Sequence, residues 1–297
     1  MLTLERLYEG WAPETRRDPP LSLDEMRAMF EHWGDVTSEP GGLDFIEADV
    51  DGIPGLWART AEDARVVLLC FHGGGFVVGS RFSHRKLFGH VAKAAQGHAL
   101  IIDYALAPER PHPGPLDDAV KAYRWLLDRG TAAADIVLIG DSAGGSLAVA
   151  AALRLRDLGL PAPRGVVSMS PYFDLEARGA SFERNAASDI LVSRDIAQGM
   201  AGTFLGEGGD PRDPTANPLY ADLAGLPPVL IQASRDETLF DGAVEFRDKA
   251  EAAGVSVGFQ TFDDQQHVFQ FAAGHSDTAD TAIRDMAAWI GQQAGRA

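Results

Sequence analysis

The stretch "GDSAGG", Gly140 to Gly145, sets one serine among the smallest residues. It follows the apolar run "DIVLIG" and opens the helical run "GGSLAVAAALRLRDLG". Gly140, Ser142 and Gly144 fit G-x-S-x-G, the pattern of a nucleophile on a sharp strand-to-helix turn. Such a turn crowds the backbone around the serine, so its near neighbours must be tiny. The hydroxyl then stands exposed above the end of the sheet, where it could attack a carbonyl carbon. The N–H of Ala143, at the helix start, points into the same space. A plain glycine-rich turn is the alternative, and the strand-turn-helix setting argues against it.

A serine hydroxyl is a weak nucleophile at neutral pH and needs a base, which needs an orienting acid. On a doubly wound sheet these follow the serine in the order acid, then histidine. Only His267 and His275 come after Ser142. His267, in "DDQQHVFQ", directly follows a strand-like run, where site loops gather. His275, in "AAGHSD", lies beside the start of the last helix, so His267 is the expected base. For the acid, "SRDETL" follows the run "PVLIQAS" and offers Asp236, with Glu237 and Asp241 as competitors. Either competitor could instead be a carboxylate at a helix N-terminus. Asp236 lies nearest the strand end and is the expected acid.

Acyl transfer builds negative charge on the carbonyl oxygen, and hydrogen-bond donors must already face it. "HGGG", His72 to Gly75, follows the strand-like run "VVLLCF". Glycines let the backbone approach and present bare N–H groups, which answers their cost in chain entropy. The expected oxyanion donors are the amides of Gly73, Gly74 and Ala143. His72 is expected to prop this loop by hydrogen bonding rather than act as a base. Gly75 and Asp141 complete the supporting set. A nucleotide-binding glycine turn would need a helix opening at once after the glycines, which the residues here do not offer.

Strands and helices must alternate to carry these loops. Strand-like runs are "VVLLCF", "HALIID", "DIVLIG", "GVVSMS", "PVLIQAS" and "VSVGFQTF", with helical runs between them. Such a pattern predicts a mostly parallel sheet with helices on both faces. Asp51-Gly52 is a hairpin signal, so the opening strands are expected to be antiparallel. "SLDEMRAMFEHWG", Ser22 to Gly34, begins with a capping-box pattern of Ser22 and Glu25. Its apolar residues Met26, Met29, Phe30 and Trp33 are expected to pack a core rather than line a pocket. From Tyr172 to Pro218 no strand pattern occurs, only a helix expected to be capped by Ser193. Some forty residues is long for a connection, so a covering insertion is expected.

Composition sets the outer limits. At 297 residues, 45% hydrophobic and 23% charged, the chain suits one large α/β domain or a domain plus a small accessory piece. A formal charge of -17 disfavours nucleic acid and anionic lipid as partners. The single cysteine, Cys70, excludes an intrachain disulfide and reads as a small buried apolar residue. The first residues lack a secretory pattern, and no apolar run approaches membrane-spanning length. A cytoplasmic protein without membrane insertion is the simplest expectation.

Together "HGGGF", "YALAPE", "GDSAGGSLA", "SRDETL" and "HVF" resemble the bacterial hormone-sensitive-lipase family of esterases, in the α/β-hydrolase fold. The likeness runs from about Asp44 to the end of the chain. It implies a triad of Ser142, Asp236 and His267 acting on short-chain carboxylic esters, with no metal or organic cofactor. It also implies a helical cap from residues 1–42 and 172–218 over a core of 43–171 and 219–297, and often a homodimer. Where the family frequently has glycine after the histidine, this chain has Val268. A lactone, amide or carbamate hydrolase would use the same groups. A non-catalytic ligand-binding module would lack the base.

Overall fold

The computed structural model describes residues 2–60, 64 and 66–294. Eight strands form one sheet in the order β1-β2-β4-β3-β5-β6-β7-β8. They are β1 (Leu43–Val50), β2 (Ile53–Thr60), β3 (Val67–Phe71), β4 (His98–Ile102), β5 (Ile136–Asp141), β6 (Gly165–Met169), β7 (Val229–Ser234) and β8 (Val257–Phe262). The hairpin β1–β2 turns at Asp51 and Gly52, whose φ angles of 55° and 85° suit the twist of the flanking strands. β2 runs antiparallel to β4, and every later pairing is parallel. The expected fold class is therefore the one observed.

All residues of β5 and of β7 are buried, as strands covered on both faces should be. Side-chain alternation divides the interior into two cores. Leu69, Phe71 and Leu138 face one of them, while Leu68, Cys70 and Ile139 face the other. Cys70 is fully buried, and burial pushes its thiol well above the usual range.

Helices α1 (Leu4–Thr15) and α2 (Leu23–Phe30) precede the sheet. α3 (Arg85–Ala94), α4 (Gly114–Asp128) and α5 (Ala143–Asp157) lie between strands. α6 (Ser181–Arg184) and α7 (Arg194–Leu205) occupy the long β6–β7 connection, followed by α8 (Phe240–Ala252) and α9 (Asp277–Gln292). The Ser22–Glu25 capping box closes both of its hydrogen bonds, and Ser193 caps α7. α1 lies where the resemblance implied a helical stretch, but its own residue pattern was not read from the sequence. Its buried Leu4, Leu7, Tyr8 and Trp11 recur at helical spacing. Among the described residues no helix is long and apolar enough to cross a membrane.

Register brings the distant motifs together. Phe71 pairs with Gly140 across β3 and β5, so "HGGG" and "GDSAGG" leave the same sheet edge side by side. Ser234 pairs with Phe262 across β7 and β8, which sets "SRDETL" beside the loop that carries His267.

Candidate active site

Ser142 sits between β5 and α5 with φ 51° and ψ -120°, a conformation that ordinary residues avoid. The turn is held by its amide donating to Met169 O at 2.8 Å and by Tyr172 N donating to Ser142 O at 3.0 Å. The motif glycines have a direct cause. A Cβ on Gly140 would run into the Gly144 backbone, and one on Gly144 into the carbonyl of Phe71. Ser142 and His267 both line one cavity of about 850 Å³.

The His267 ring is buried, and its Nδ1 lies 2.7 Å from Glu237 Oε2. Glu237 is itself held by Ser170 Oγ at 2.8 Å and by Ser234 N at 2.6 Å, both donating to Oε1. The carboxylate at the ring is thus Glu237 and not Asp236, where the acid was expected. The Asp236 carboxylate instead accepts the Asp264 amide at 2.6 Å and ties two loops together. Adjacent residues in a turn point their side chains differently, and only Glu237 reaches the ring. Asp241 pairs with Arg184 and caps Ser181 N, away from the histidine. His275 is exposed and lies outside the cavity. Burial alone would push the His267 imidazole down. Hydrogen bonding and charge from Glu237, with Asp189 and Asp141 further off, raise it above its ordinary value. With Nδ1–H given to Glu237, Nε2 is left as the acceptor.

The glycine loop is shifted by one residue from expectation. The Gly73 amide donates to Asp141 Oδ1 at 3.1 Å and approaches His84 Nε2 at 3.2 Å. A Cβ on Gly73 would strike the Asp141 carboxylate. Gly73 is thus packed beneath the loop, and Gly74 and Gly75 line the cavity. Their φ angles of 113° and 61° require glycine. Among the described residues no hydrogen-bond partner takes the amides of Gly74, Gly75 or Ala143. Asp141 is fully buried between Gly73 and His84, whose Nε2 lies 3.2 Å from Asp141 Oδ2. His72 holds Gly73 O through Nδ1 at 2.8 Å and stacks on Tyr104 at 4.3 Å. Burial pushes its imidazole down to about 4, so it stays neutral and structural in this setting.

The roof of the cavity comes from α1, α2 and α7. Ile196, Gly199, Met200 and Thr203 form one stripe of α7 facing it. Met26, Phe30 and Trp33 line it too, so the expectation that they only pack a core holds for Met29 alone. Phe30 and Trp33 do both tasks, with ring centroids 5.1 Å apart. Among the described residues no group of three or more His, Cys, Asp or Glu side chains is placed to hold a metal ion.

A family model described as the alpha/beta hydrolase fold matches residues 68–271. An acetyl-hydrolase of Streptomyces hygroscopicus is 41% identical over 270 residues, covering 91% of this chain and 88% of that protein. An esterase of Acinetobacter venetianus is 36% identical over 236 residues, covering 80% and 78%. The crystal structure of an esterase from the bacterial hormone-sensitive lipase family superposes with a TM-score of 0.92 at 38% identity, over 99% of this chain and 100% of that one. With the family matched over most of the chain and a solved member superposing over nearly its whole length, this chain belongs to the bacterial hormone-sensitive-lipase family of α/β-hydrolase-fold esterases.

Proposed function

We propose that the protein is a serine esterase that cleaves short-chain carboxylic esters through an acyl-enzyme. The observation that carries this reading is the buried His267–Glu237 pair at 2.7 Å, opening on the same cavity as Ser142. In this mechanism Ser142 Oγ attacks the ester carbonyl as His267 Nε2 takes its proton. Glu237 holds the ring tautomer and stabilises the imidazolium. The amides of Gly74, Gly75 and Ala143 receive the oxyanion. The tetrahedral adduct collapses, the C–O bond to the alcohol breaks, and His267 returns the proton to the leaving oxygen. Water then attacks the acyl-serine by the same route, giving the acid and free Ser142.

The short acyl chain is supported by Met200, whose Cγ would lie 2.8 Å from a Cβ on Gly75 and so crowds the donors. The acetyl-hydrolase relative is consistent with it. In the same reading, residues 1–42 and 172–218 act as a cap over the core of 43–171 and 219–297.

The test is hydrolysis of p-nitrophenyl acetate and butyrate by the wild type and by Ser142→Ala. Loss of the nucleophile should lower kcat by about 10⁴-fold or more. Equal rates would end the reading.

A further inference from the structure

Val268 stands in the left-handed region, with φ 50° and ψ 48°, although it is β-branched. Something must hold the chain there, immediately after the histidine. The His267 carbonyl and the Val268 amide belong to one peptide group, and both of its ends are tied. Val268 N donates to Ser170 Oγ at 3.1 Å. His267 O accepts from Tyr8 Oη at 2.8 Å. Tyr8 lies on α1, 259 positions away in the chain, and is fully buried.

The phenol has a single proton, and its direction is set. Trp33 Nε1–H donates to Tyr8 Oη at 2.8 Å, so that side of the oxygen is occupied and the Tyr8 proton goes to His267 O. Trp33 in turn stacks on Phe271 at 5.1 Å, which anchors it to the same loop. Ser170 is bound in the opposite direction, since its hydroxyl donates to Glu237 Oε1. A rotation of the 267–268 peptide would therefore break the Tyr8 bond, strip Val268 N of its acceptor and swing the ring away from Glu237. A catalytic base works only within a narrow geometry, so this plane matters to the reaction.

We propose that Tyr8, aimed by Trp33, is a positioning residue for the catalytic base. Helix α1 holds the 267–268 peptide from the cap side, while Ser170 holds it from the sheet side. The proposal rests on His267 being the base, and it gives α1 a part in turnover beyond covering the cavity.

Tyr8→Phe removes one oxygen and keeps the ring in its aromatic cluster. With p-nitrophenyl butyrate at 25 °C, kcat should fall roughly tenfold while KM stays within about twofold. Far-UV circular dichroism should match the wild type. A role in stability alone would lower the melting temperature and leave kcat unchanged at 25 °C, which would overturn the proposal. If Tyr8→Phe does not fold, Trp33→Phe poses the same question by freeing the phenol to rotate. There a fall of about threefold in kcat at constant KM supports the clamp, and an unchanged kcat overturns it. Ser142→Ala, run in parallel, separates the two levels. An inactive Ser142→Ala beside a fully active Tyr8→Phe ends the clamp alone. A fully active Ser142→Ala ends the serine reading and the clamp with it.

Discussion

At the floor of the cavity, glycines stand where backbone or a buried carboxylate leaves no room for a Cβ: Gly73 against Asp141, Gly74 against Val78, Gly144 against Phe71. In the roof, Gly199 and Gly202 of α7 have nothing within 4 Å of the position a Cβ would take. The floor is main chain held by main chain, with buried Asp141, Glu237 and His267 as its polar fasteners. The roof is a set of side chains on helices, among them Met26, Phe30, Ile196 and Met200. A floor so fixed should serve every ester alike. A roof of side chains should decide which ester enters. Changes in the floor are therefore expected to lower all rates together, and changes in the roof to alter their ratios.

The largest effect within that comparison belongs to the acid. Glu237→Gln keeps the shape but removes the charge and the tautomer control, and kcat should fall by about 10³–10⁴ on acetate and butyrate esters alike. Asp236→Asn leaves the His267 contact intact, and its rate should stay within about threefold of wild type. A reversed order would return the acid role to Asp236. Gly144→Ala comes next. Its Cβ meets a strand carbonyl that cannot move freely, so about 1–3 kcal/mol of stability should be lost. Denaturant melts measure this, and an unchanged midpoint would show that the turn has slack.

The pH dependence follows from the same pair. In the proposed mechanism His267 must be neutral to take the serine proton, and its imidazole is raised above the ordinary value. The acid limb of kcat/KM should therefore lie above an ordinary histidine, with activity rising as pH rises through it. Glu237→Gln should move that limb to lower pH even as the plateau falls. The contribution of the pair to folding runs the other way. A raised folded value stabilises the protein below the unfolded histidine value, and the benefit is lost as pH rises through the folded one. A limb that stays put in Glu237→Gln would mean that another group raises the imidazole.

Six strands, β3 to β8, were legible as largely apolar runs bounded by turns, and the opening pair β1–β2, which carries Asp44, Glu47, Asp49 and Arg59, was legible through its Asp51-Gly52 hairpin turn. Ser142 was legible because its glycines fall at fixed spacing within six residues, although the strand that Gly144 must clear, at Phe71, is distant in the chain. The acid was not. Asp236 and Glu237 are neighbours, and nothing in spacing says which carboxylate faces the ring. The same holds for the glycine run. That Gly73 is the one engaged below follows from Asp141, which sits on another strand. α1 did carry a signal in Leu4, Leu7, Tyr8 and Trp11, but Pro13 near its end weakens a helix reading. The bond from Tyr8 to His267 had no sequence signal at all, since it joins residues whose contact exists only after folding.

The smallest expected effect is the sharpest test of the roof. Gly199 and Gly202 lie on one helix, three positions apart, and neither is demanded by packing. Gly199 lines the cavity and Gly202 does not. Glycine inside a helix costs about 0.5–1 kcal/mol relative to alanine, so Gly199→Ala and Gly202→Ala should each stabilise the protein by up to that amount. Activity should then part them. Gly199→Leu projects its side chain into the cavity and should lower the ratio of kcat/KM for p-nitrophenyl octanoate to that for the acetate by about tenfold. Gly202→Leu should leave the ratio where it is in the wild type. If both leucines change the ratio equally, or neither does, α7 does not select the acyl chain, and selection must lie with Met200 and the residues of α2.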